Sequence, residues 1–126
     1  MKRLMCLSVM LLAIFALPAA AAQDNPVVLV VPLDGTVGTV MENYVTDILK
    51  RAPGEASVVV FRLDTPGGLV TSMTEITRQI IESKVPVVMW VSPSGARAAS
   101  AGAFLVVSAH VAAMAPGTRI GAAHPV

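Results

Sequence analysis

Beyond its signal-like first segment the chain has no cysteine, few charges and few aromatic rings. The single cysteine, Cys6, lies in that segment. The rest therefore contains neither a disulfide nor a thiol nucleophile. Histidine is scarce too: His110 and His124, with no cluster of carboxylates, do not make a zinc ligand set. No metal and no cofactor are expected. Charged residues are 13% and aromatics 4% of the chain, and residues 23–126 balance to a net charge of −1. Without a basic footprint or basic–aromatic interleaving, nucleic acid is excluded as a partner.

What is abundant is apolar. Lys2 and Arg3 precede an apolar run from Leu4 to Leu17, followed by the small residues Pro18 to Ala22. This is the layout of a secretory signal peptide, and the run is short for a bilayer span. Residues 1–22 are expected to be removed on export, an uncleaved anchor being the competing reading. Residues 23–126 are long enough for one small domain. The last residues, from Gly121, stop in an apolar stretch without capping signals, so the chain reads as the N-terminal part of a longer domain.

Val27–Leu33, Ser57–Leu63, Val87–Val91 and Val111–Ala115 read as strands. Their near-continuous apolar character predicts a sheet buried on both faces. Val37, Val40, Met41, Tyr44, Val45, Ile48 and Leu49 recur at helical spacing, ending near Pro53-Gly54. Leu69, Met73, Ile76, Ile80 and Ile81 do the same before Pro86. Ala99–Ala109 reads as a helix apolar all round and hence buried. Alternating strands and helices predict an α/β fold with a mostly parallel sheet, whose ligands bind at the carboxyl ends of the strands.

Two small-residue turns stand there: Leu63-Asp64-Thr65-Pro66-Gly67-Gly68, and Ser94 to Gly102. Ser100 sits among alanines and glycines in the first turn of the third helix. There a hydroxyl can be a nucleophile favoured by the helix N-terminus, or simply a helix cap. Gly67 and Gly68 offer open backbone N–H groups that would hold an oxyanion, or form a plain Pro-Gly turn. Asp64 is expected to bond its own turn, His110 to cap a helix end, and Arg97 to be solvated or paired. His124 is either a general base or a surface histidine.

These turns, together with Ala115-Pro116-Gly117-Thr118-Arg119-Ile120-Gly121-Ala122, resemble the N-terminal protease domain of NfeD-type membrane-bound serine proteases, relatives of Clp protease. The resemblance covers about residues 27–126. It implies a Clp protease/crotonase-like spiral of ββα units, Ser100 as nucleophile, Gly68 and Ala101 as oxyanion donors, and Gly67 against the substrate backbone. It further implies a serine endopeptidase, membrane-associated on the periplasmic or extracellular face. That enzyme would cleave apolar segments of stomatin-like membrane partners through an acyl-enzyme, and would form a homodimer. One departure is plain. The family's base is a lysine some tens of residues after the serine, whereas Lys2, Lys50 and Lys84 all precede Ser100. His124 falls near the histidine position of Clp protease. A chain lacking the lysine is expected to be catalytically weak. Two rival readings are a non-catalytic scaffold that binds a stomatin-like protein, and a crotonase-like acyl-CoA enzyme.

Overall fold

The computed structural model describes residues 25–124; the signal-peptide expectation lies outside them. Strand β1 (Val28–Asp34) leads to helix α1 (Thr39–Glu55), β2 (Val58–Asp64), α2 (Val70–Ile81) and β3 (Val87–Val91). After these come β4 (Arg97–Ala99), α3 (Ala101–Ser108), β5 (Val111–Met114) and β6 (Arg119–Gly121). The main sheet is parallel in the order β1-β2-β3-β5, and β4 pairs with β6 in a separate parallel ribbon. This is the expected α/β architecture of parallel strands joined through helices.

Side chains alternate across a strand, so in-register pairing places like residues on one face. Val59 stands opposite Val87, Phe61 opposite Met89 and Leu63 opposite Val91. With Val31 and Leu33 of β1, these side chains form the buried face. Helix α1 covers it with Met41, Val45, Ile48 and Ala52, and α2 with Ile76 and Ile80, each set at helical spacing. The opposite face is not buried as the apolar runs predict: Val28, Val30 and Trp90 are 54%, 55% and 37% exposed. The runs are continuous because both faces are apolar, yet the helices line only one of them.

The local boundaries carry further corrections. Helix α1 continues through Pro53 to Glu55, and the Ala56 N–H closes the last turn on the Ala52 carbonyl at 2.8 Å. Arg97–Ala99, read as turn and, at Ala99, as the start of a helix, is a short strand, so α3 begins only at Ala101. Nor is α3 buried all round, since Phe104 and Val107 face outward at 44% and 74% exposure. His110 caps no helix. Its Nδ1 accepts the Val87 N–H at 3.1 Å while the His110 backbone N–H donates to the Val87 carbonyl at 3.0 Å. The imidazole thus folds back onto the start of β3.

Candidate active site

The carboxyl end of β2 is stitched directly to β4. The Thr65 N–H donates to the Arg97 carbonyl at 2.7 Å, and the Ala99 N–H donates to the Thr65 carbonyl at 3.1 Å. Asp64, expected to bond its own turn, instead accepts the Arg97 N–H on Oδ1 at 3.0 Å. Three hydrogen bonds therefore lock the residues before Ser100 against the residues before Gly67. Thr65 is fully buried, and its Oγ1 also accepts the Gly67 N–H at 3.0 Å. Its methyl fills the space beside Gly102 in the first turn of α3, where any Cβ on that glycine would collide with it.

Gly67 and Gly68 meet two different needs. Gly67 has φ +105°, a conformation that an L side chain rarely adopts. Gly68 lies across a parallel bridge from Val37, made by Val37 N–H to the Gly67 carbonyl at 2.9 Å and Leu69 N–H to the Val37 carbonyl at 2.8 Å. In such a bridge the central residue's own N–H points to the other side. The Gly68 N–H accordingly has no acceptor among the described residues. The Ala101 N–H is likewise unclaimed, being the first of a helix and without an intrahelical acceptor.

Ser100 joins β4 to α3 at φ 52° and ψ −118°, one of two non-glycine residues with positive φ among those described. Holding a non-glycine residue in such a region costs of order 1–3 kcal/mol, and surrounding bonds must maintain it. Here they are Ser100 N–H to the Gly121 carbonyl at 2.8 Å and Ala103 N–H to the Ser100 carbonyl at 3.0 Å. The hydroxyl does not cap the helix, which removes the simpler of its two readings. Ser100 is exposed, and it precedes the helix rather than lying in its first turn. A strained strand-to-helix turn that lifts an uncapped serine to the surface has the form of a nucleophile elbow.

Gly67 and Ser100 are in contact, and Gly68 and Ala101 are their immediate neighbours, so four of the five expected site residues fall together. The fifth, His124, is exposed and makes no hydrogen bond to Ser100 among the described residues. Lys50 and Lys84 line a cavity of about 470 Å³ between α1 and α2 that includes none of these residues. A smaller groove of about 310 Å³ runs along β4 and β6, bounded by Arg97 to Ala99 and Arg119 to Ala122. The reading of the sequence missed Thr65 and Gly102. A buried threonine between two small-residue turns was the available signal.

A membrane-bound protease of Pyrococcus horikoshii, PH1510, is 48% identical over 71 residues, 56% of this chain and 16% of that protein. The membrane protein NfeD1b of Bacillus subtilis is 32% identical over 118 residues, 93% of this chain and 26% of its own length. The chain thus spans about a quarter or less of these curated relatives. Among solved structures, a serine-to-alanine mutant of the 1510-N membrane-bound stomatin-specific protease superposes with a TM-score of 0.78 at 36% identity, covering 81% of this chain and 50% of that one. A lysine-to-alanine mutant of the same protease, in complex with a substrate peptide, gives 0.78 at 36% identity over 82% and 48%. The family model described as NfeD1b, N-terminal domain, matches residues 27–126, and the chain belongs to that family.

Proposed function

We propose that this chain is the peptide-cleaving unit of a membrane-associated serine protease, with Ser100 as its nucleophile. One observation carries the reading: an exposed, uncapped serine held at φ 52° against a glycine turn whose neighbouring N–H groups are unclaimed. A protein conserves no energy by straining a residue there, so the strain is best explained by what the hydroxyl does.

The proposed step is acyl transfer. Ser100 Oγ attacks the scissile carbonyl carbon and loses its proton to a base, while the carbonyl π pair moves onto oxygen. The Gly68 and Ala101 N–H groups donate to that oxyanion, assisted by the positive end of α3. Collapse breaks the C–N bond, the amine departs with the proton from the base, and water then hydrolyses the ester to free Ser100. Within this chain His124 is the candidate base, three residues beyond the Gly121 carbonyl that holds the Ser100 N–H. A substrate peptide is bound to a lysine-to-alanine mutant of the relative, which supports a basic side chain in this role.

The relatives' names supply the coarser context. They are membrane proteins, and one is specific for a stomatin homologue. Export, an apolar stretch of a stomatin-like protein as substrate, and a homodimer belong to this proposal. Among the described residues no helix is long and apolar enough to cross a membrane. The test is cleavage of an apolar stomatin-type peptide, with mass-spectrometric mapping of a fluorophosphonate or peptide-boronate adduct. An adduct on Ser100 and loss of cleavage in Ser100→Ala are expected; cleavage undiminished in that variant would overturn the reading. Retained turnover of a thioester by Ser100→Ala would point instead to the crotonase-like alternative.

A further inference from the structure

Among the described residues, the arginines divide into two groups. Arg51 faces Glu55 at 3.8 Å, Arg62 faces Asp34 at 3.8 Å, and Arg78 pairs with both Glu75 and Glu82. Arg97 and Arg119 have no carboxylate of the described residues within ion-pair distance, and both are exposed. They are also each other's register partners in the β4–β6 ribbon, so their side chains leave the same face of neighbouring parallel strands. Both line the groove of about 310 Å³ along β4 and β6, whose lining reaches Ala99, the residue before Ser100. Asp64, whose Oδ1 accepts the Arg97 N–H, forms an ion pair with neither guanidinium.

Two like charges placed side by side repel one another, and opposite-charge or aromatic pairs would stabilise the same positions. A carboxylate arriving between them would receive two guanidinium forks in a groove, the geometry that favours charge-assisted bidentate bonds. We propose that Arg97 and Arg119 form a subsite for an acidic side chain of an extended substrate, a specificity element that rests on the hydrolase reading above. Arg97 lies three residues before Ser100, which at about 3.3 Å per strand residue is roughly 10 Å. An extended peptide laid along the ribbon covers that span in about three residues. The substrate class is therefore a mostly apolar segment with one Asp or Glu about three positions from the bond that is cut.

Binding to the Ser100→Ala protein tests the subsite without requiring turnover. The probes are two fluorescent apolar peptides that differ only by Glu or Gln at that position. The expected result is about tenfold tighter binding of the Glu peptide, consistent with a charge-assisted pair. That preference should weaken with salt, vanish in Arg97→Gln and Arg119→Gln, and be partly retained in Arg97→Lys. Both side chains are exposed, and neither guanidinium takes part in holding β4, so thermal melts should be unchanged. Equal binding of the two peptides would overturn the proposal. So would an arginine-dependent affinity for phosphatidylglycerol vesicles without peptide preference, which would make the groove a lipid contact. Peptide boronates applied to the unmutated protein separate the two levels of inference. A Glu preference without any adduct on Ser100 would defeat the hydrolase reading, and with it a substrate subsite. An adduct formed equally by both boronates would spare the nucleophile and reject the arginine pair.

Discussion

Gly67 abuts Ser100 so closely that a methyl group built on it would lie 2.7 Å from Ser100 Cβ and 2.9 Å from the Ala99 carbonyl oxygen. Two constraints therefore act at Gly67 at once, positive φ and a neighbour's side chain. Gly67→Ala is expected to cost about 1–3 kcal/mol in urea unfolding and to abolish adduct formation at Ser100. Loss of stability with the adduct intact would show that the turn is scaffold only.

Ser100 makes the opposite prediction. A glycine accepts φ 52° and ψ −118° without a Cβ penalty, so Ser100→Gly should stabilise the protein by about 1 kcal/mol while eliminating the nucleophile. Denaturation midpoints of the two proteins decide it; a destabilised Ser100→Gly would mean that the turn is not strained.

Helical Gly→Ala changes usually stabilise by about 0.5–1 kcal/mol. At Gly102 the sign should reverse, because an added methyl meets Thr65 Cγ2. Thr65→Ser removes that methyl and keeps the hydroxyl, so the double variant should recover part of the loss, a coupling that a double-mutant cycle measures directly.

Thr65→Val isolates the hydroxyl. It leaves the Gly67 N–H without the acceptor it now reaches at 3.0 Å, and a buried donor without a partner costs about 1–3 kcal/mol. Faster amide exchange at Gly67 is expected in Thr65→Val and not in Thr65→Ser.

A pH effect is expected far from the site. The Arg78 guanidinium hydrogen-bonded to Glu75, with Gln79 second, lowers the Glu75 carboxyl from its ordinary 4.5 to about 2. The folded value lies below the unfolded one, so this contribution is complete above about 4.5 and is lost as pH falls towards 2. Glu75→Gln should therefore lose less stability than the unmutated protein between those limits. The difference will be small because both side chains are in solvent.

The sequence displayed the main sheet and the first two helices because each has a periodic apolar stripe, as in Met41, Val45 and Ile48. It did not display β4 and β6. Three residues are too few for a period, and Arg97-Ala98-Ala99 has no strand propensity; only pairing with Arg119 to Gly121 makes it a strand. The site was legible as composition, since small residues mark where backbone must approach backbone. Its organisation was not, because Thr65 acts through partners 32 to 37 positions away. Asp64 illustrates the same limit: its partner lies across the fold, where local turn chemistry does not reach.

Among the described residues, the amide of Ser100 is held only by a three-residue ribbon strand, through the Gly121 carbonyl. If β6 peels away, the elbow loses the restraint on its amide while β1, β2, β3 and β5 remain paired. The reactive turn can therefore be disarmed by a local event that leaves the rest of the domain folded.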